Sequence, residues 1–105
     1  MTVEVVDLGD WGAATLVSEY DPHDDAIRIN ARAVAAIGDA CGAAEAERFV
    51  AAAVAHERHH RAYPRASEAD AHAAACGAVG CDVRAYEAIL RAAVASSTRA
   101  NGVSP

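Results

Sequence analysis

A chain of 105 residues is long enough for one hydrophobic core and too short for two. Its hydrophobic fraction is 53% but its aromatic fraction only 5%, because alanine supplies much of the apolar content; such a core favours closely packed helices and small side chains. The net charge of −6, with all nine cations arginine and scattered along the chain, argues against a nucleic-acid partner.

The three cysteines, Cys41, Cys76 and Cys81, form an odd set with no framework spacing, which suits a reducing cytoplasm better than a secreted scaffold. The first residues, MTVEVVDLGD, lack the basic region and apolar run of a signal peptide. No apolar run approaches the roughly 20 residues that span a bilayer. The expected setting is therefore the cytoplasm, with no membrane association.

In chain order, VEVVDL (3–8) is rich in β-formers and is closed by Gly9-Asp10. ATLVSEY (14–20) reads as a strand, DPHDD (21–25) as a polar turn, and AIRIN (26–30) as a strand with Ile27 and Ile29 on one face and Arg28 and Asn30 on the other. The two strands form a hairpin, to which the first segment is available as a third strand. Asn30 is placed to cap a helix over 31–42 that ends near Gly38 or Gly42. Residues 43–60 are strongly helical, with Glu45 and Glu47 near the N-terminus and Tyr63-Pro64 as the stop. Ser67 caps the next helix, with Asp70 three residues on, and Gly77 and Gly80 mark its end. A last helix over 81–96 carries Val83, Tyr86, Ile89, Leu90 and Val94 at helical spacing, and SSTRANGVSP follows as a polar tail. The expected organisation is a single domain over 1–96 and a flexible tail over 97–105.

The chemistry concentrates in residues 53–76, which hold four of the five histidines. His56-Glu57-Arg58-His59-His60 spells H-E-x-x-H on the long helix. At about 100° per residue, Phe49, Ala53, His56 and His60 share one stripe, so both imidazoles extend the apolar face. Glu57 continues the neighbouring stripe of Val50 and Val54. Two imidazoles one turn apart can bind one zinc ion, and the glutamate between them faces a water on that ion. Zinc lowers the pKa of such a water toward about 7, and Glu57 is the expected general base.

A third ligand has to come from an element that returns to the same place. Glu68 and His72, four residues apart on one face of the following helix, are the candidates, with Glu68 preferred and His72 the alternative. His59 is read as a helix-end residue that suits the C-terminal dipole, and His23 as a solvated turn residue. Tyr63 and Arg65, in the loop after the motif, are candidates for stabilising an oxyanion.

A hairpin ending IRIN, a helix bearing HERHH and a helix opening SEADAHAAA together resemble the ImmA/IrrE-like small bacterial zinc metallopeptidases over about residues 14–76. The resemblance implies a minimal zincin-like α+β fold: a small N-terminal antiparallel sheet of two or three strands followed by about four helices. It implies His56, His60 and Glu68 as zinc ligands, Glu57 as the base, and hydrolysis of peptide bonds in a protein partner. Seven residues separate His60 from Glu68, a shorter connection than is usual in that family. The other expectation, from a different functional class, is a non-catalytic zincin-like interaction module that binds a protein partner.

Overall fold

The computed structural model describes residues 1–9, 17–80 and 85–93. It is an α+β structure with a three-stranded sheet at the N-terminal end followed by four helices. The strands are β1 (Thr2–Val6), β2 (Ser18–Asp21) and β3 (Ala26–Asn30); the helices are α1 (Ala31–Cys41), α2 (Ala43–Ala62), α3 (Glu68–Val79) and α4 (residues 85–93). The polar tail expected over 97–105 lies outside the described residues, as do Trp11 and Cys81.

The sheet order is β1-β3-β2, so β3 is the central strand. β2 and β3 form the expected antiparallel hairpin, with Tyr20 opposite Ile27 and Asp21 opposite Ala26. β1 supplies the third strand on the other side of β3, in parallel register, with Val3 opposite Ile27 and Val5 opposite Ile29. A parallel neighbour needs a crossover between the two strands, whereas the antiparallel pair needs only its turn.

Alternation in β3 assigns the two faces of the sheet. Ile27 and Ile29 are fully buried and face the helices. On the outer face Arg28 is surrounded by carboxylates, with Asp24 at 3.0 Å, Asp21 at 3.1 Å, Glu19 at 3.5 Å and Glu4 at 3.6 Å. The carboxylates meet a single guanidinium, so this face of the hairpin stays polar.

Asn30 joins the sheet to the first helix. Its side-chain oxygen accepts from the Arg32 amide at 3.1 Å and caps α1, while its Nδ2 donates to the Gly9 carbonyl at 2.8 Å. The same oxygen accepts from the Leu8 amide at 3.3 Å. A fully buried polar side chain is therefore supplied with partners on both of its ends.

α1 stops at Gly42, whose φ of +95° is open to glycine and strained for other residues, and α2 begins directly after it. α2 is the central helix, packing on α1, α3, β2 and β3. Its inner surface is Phe49, Ala52 and Ala53, joined in the core by Ile37, Ala75, Tyr86 and Leu90. The Phe49 and Tyr86 rings meet edge to face at 5.3 Å, and the Tyr86 hydroxyl donates to Glu45 at 3.1 Å. That contact docks α4 against the N-terminal half of α2. Ala33, Ala52, Ala53, Ala71 and Ala75 are buried in the core, as the composition suggests.

α2 runs two residues beyond the expected His60 and ends at Tyr63, before Pro64. Ser67 then caps α3, its hydroxyl accepting from the Asp70 amide at 3.1 Å. Gly77 continues the helix instead of breaking it, and Gly80, in the left-handed conformation, terminates it. The short turn between α2 and α3 places the first turn of α3 beside the last two turns of α2.

Candidate metal centre

The last two turns of α2 change from alanine to histidine without changing face. His56 and His60 side chains are 14% and 21% exposed, while Arg58 points outward. Arg61 reaches instead to the hairpin turn, where it donates to Asp25 through Nε at 2.8 Å and Nη2 at 3.3 Å. The His56 and His60 rings meet edge to face with centroids 4.9 Å apart, the separation that one helical turn produces.

Glu68, the first residue of α3, reaches across to both of them. Its Oε2 lies 3.1 Å from His56 Nε2 and its Oε1 lies 2.8 Å from His60 Nε2. The second of these is short but is not a hydrogen bond: His60 Nε2 is a buried polar atom without an aligned partner. A buried ring nitrogen 2.8 Å from a carboxylate oxygen, with no hydrogen bond between them, is compatible with two donors to one cation. Two imidazoles and a carboxylate suit zinc in chemistry and in number.

His72, one turn along α3, completes the cluster. Its ring centroid is 4.9 Å from that of His56, and ligand atoms of His56, Glu68 and His72 all lie within 4.8 Å of one another. The structure therefore brings both residues considered for the third position to the same place. His60 enters the cluster through Glu68, whereas His56 touches every other member. Burial pushes the His56 imidazole below its ordinary pKa, against the opposing pull of the Glu57 and Glu68 carboxylates.

Glu57 is 6% exposed and lies on the β2 side of α2. Its Oε2 accepts from the Ser18 hydroxyl at 2.7 Å and is 3.8 Å from His56 Nε2. A hydroxyl donor at the start of β2 thus holds the carboxylate beside the first histidine. Ser18 carries no sequence signal, being one hydroxyl in a strand; only the inward position of Glu57 implies that some donor has to meet it. Glu87 of α4 is the second residue that the motif does not reveal: its Oε1 lies 3.4 Å from His72 Nε2. Its spacing, four residues after Val83 and three before Leu90, is the available hint.

The other candidates lie apart. His59 packs its ring at 4.9 Å from that of Tyr63, and Tyr63 is 62% exposed. Arg65 is exposed, and no contact among the described residues joins it or Tyr63 to the cluster. His23 is solvated in the hairpin turn, 2.9 Å from Asp24.

No family model, curated protein or solved structure matches this chain. No helix among the described residues is long and apolar enough to cross a membrane.

Proposed function

We propose that this chain is a zinc-dependent hydrolase of peptide bonds, similar in plan to the ImmA/IrrE-like metallopeptidases, with His56, His60 and Glu68 as metal donors and Glu57 as general base. The observation that carries this reading is the Glu68 carboxylate set against the Nε2 atoms of two helix histidines, one of them buried and unpartnered. Zinc in that cluster supplies a Lewis acid that polarises a carbonyl and makes a water acidic at neutral pH.

The chain's own residues supply the rest. Glu57 takes the proton of the attacking water and returns it to the leaving amine. Ser18 fixes the carboxylate through its 2.7 Å hydrogen bond, so the base needs no reorientation. β2 is an edge strand of the sheet and begins at Ser18, so an extended peptide pairing along β2 would run past Glu57. The substrate class is thus a protein or peptide segment in extended form. A reducing, cytoplasmic setting agrees with the free thiols of Cys41 and Cys76.

One observation favours the second reading, a zinc-bound module that binds a protein partner without cleaving it. His72 stands close enough to His56 and Glu68 to occupy the position that catalysis requires open.

The test begins with the metal. Protein purified without chelator should contain one equivalent of zinc, and zinc at about 100 times its Kd should stabilise the fold by about 2.7 kcal/mol, roughly 10 °C in Tm. His60→Ala should abolish that gain. Glu57→Gln should keep the zinc, and on an unfolded protein substrate it should lose hydrolysis. Zinc-free protein with an unchanged Tm on zinc addition overturns the metal centre; zinc-loaded wild type that cleaves no unfolded protein leaves the module.

A further inference from the structure

We propose that His72 is a fourth donor of this centre and that Glu87 is the carboxylate that orients it, so that the resting ion is enclosed by four protein side chains. The inference rests on the zinc reading above and extends it to how access to the ion is controlled.

Three observations converge on His72. Glu68 and His72 are one turn apart on α3, so the helix that delivers the carboxylate also delivers an imidazole to the same side. Ligand atoms of His56, Glu68 and His72 lie within 4.8 Å of one another, and the His56 and His72 rings meet at 60° with centroids 4.9 Å apart. Behind the ring, His72 Nε2 is 3.4 Å from Glu87 Oε1, and the other oxygen of Glu87 is 3.7 Å from Arg91 Nη2, one turn along α4.

The chemistry of imidazole connects these facts. When one ring N–H is directed at a carboxylate, the lone pair resides on the opposite nitrogen, and ligating histidines are commonly oriented and made more basic in this way. With Nε2 3.4 Å from Glu87, a proton held on that nitrogen would leave Nδ1 as the donor for the ion. A surface histidine paired with a glutamate would need no further imidazole or carboxylate nearby, yet His72 has both, in His56 and Glu68.

His56, Glu68 and His72 are the three whose ligand atoms are mutually close, and His60, 2.8 Å from Glu68, stands beside them; together three histidines and one glutamate would fill a tetrahedral shell. A substrate carbonyl or a water then reaches the ion only when His72 withdraws, and Glu87, with Arg91 behind it, is the group that receives the ring. α4 thereby becomes part of the site: moving α4 away from α3 removes the support of the fourth donor. A partner that shifts α4 would expose the ion, and one that holds it would keep the centre closed.

Full-length protein loaded with Co2+ reports the donor set through its visible bands, and zinc affinity is read by competition with a chromophoric chelator. Wild type should show the intense spectrum of a tetrahedral ion and no change with azide. His72→Ala should bind zinc about 10- to 100-fold more weakly, and its cobalt spectrum should shift when azide enters the vacated position. Glu87→Gln should weaken zinc by about tenfold while keeping the azide-insensitive spectrum. His59→Ala, a histidine outside the cluster, should match wild type in both measurements. At 39% side-chain exposure, His72 is not required by the core, and far-ultraviolet circular dichroism verifies that each variant folds.

If His72→Ala and wild type share one zinc affinity and one spectrum, His72 is not a donor and the three-donor reading stands alone. An azide response in wild type equally overturns the enclosed centre. Failure of wild type to take up either metal removes both the inference and the zinc reading beneath it.

Discussion

The contact between Ser18 and Glu57 ties the hairpin to α2, and its energy follows from burial. The hydroxyl donates to a carboxylate oxygen at 2.7 Å, and Glu57 is only 6% exposed. Ser18→Ala removes the donor and leaves the acceptor in place. Hydrogen bonds to charged groups contribute about 1.5–3 kcal/mol, and a buried partner left unsatisfied carries most of that cost, so the variant should lose about 2 kcal/mol. For a domain near this size that is roughly 8 °C in Tm, or about 1 M in the urea midpoint. The assay is urea unfolding followed by circular dichroism with chelator present, so that metal does not contribute. The decisive comparison is the same substitution in a Glu57→Leu background. There the carboxylate is gone, and Ser18→Ala should cost almost nothing, giving a coupling of about 2 kcal/mol. An equal cost in both backgrounds, or a cost below about 0.3 kcal/mol in the parent, would refute the claim that this hydroxyl supports the glutamate.

Two further expectations concern parts of the fold that hold the site in place. Asp25 accepts from Arg61 and from the Tyr20 hydroxyl, and the Arg61 guanidinium above all, then Tyr20, holds its carboxyl well below the usual carboxylate range. A depressed folded-state value contributes stability that is complete above the unfolded pKa near about 4 and is lost as pH falls below it. The Tm difference between wild type and Arg61→Gln should therefore be larger at pH 7 than at pH 3; an equal difference at both would show that the ion pair does not act there. Gly38 and Gly42 should respond to alanine with opposite signs. A Cβ at Gly38 meets Ala46 at an ordinary 3.7 Å and should stabilise α1 by about 0.5–1 kcal/mol, while Gly42, at φ +95°, should lose about 1–2 kcal/mol in urea unfolding.

The hairpin and the helices were legible because their signals are local. Ile27 and Ile29 alternate with polar residues, Asn30 and Ser67 stand where caps are needed, and Tyr63-Pro64 stops a helix. The order of the sheet was not. Nothing local to VEVVDL distinguishes pairing with one side of the hairpin from pairing with the other, or a parallel from an antiparallel neighbour; the β1–β3 pairing depends on the route of the intervening chain. Gly77 shows the same limit in reverse: a glycine costs a helix only about 1 kcal/mol, so the packing of Ala71 and Ala75 carries α3 through it to Gly80.

The cluster divides along the same line. His56, His60, Glu68 and His72 fall within seventeen consecutive residues, and helical periodicity together with one short turn is enough to gather them. The groups that modify them come from elsewhere: Ser18 is 39 residues before Glu57, and Glu87 stands on a separate helix. Each is a single polar residue whose meaning comes only from what it touches. The division has a physical consequence. His56, His60 and Glu68, on α2 and α3, share one helix pair and should move together, whereas Glu57 and His72 are each steadied by an element outside that pair, β2 for one and α4 for the other. Under the proposed zinc reading, perturbing β2 should therefore act on Glu57 and leave metal affinity nearly unchanged, and perturbing α4 should do the reverse. A Ser18→Ala variant with altered zinc affinity would show that the two supports are not independent.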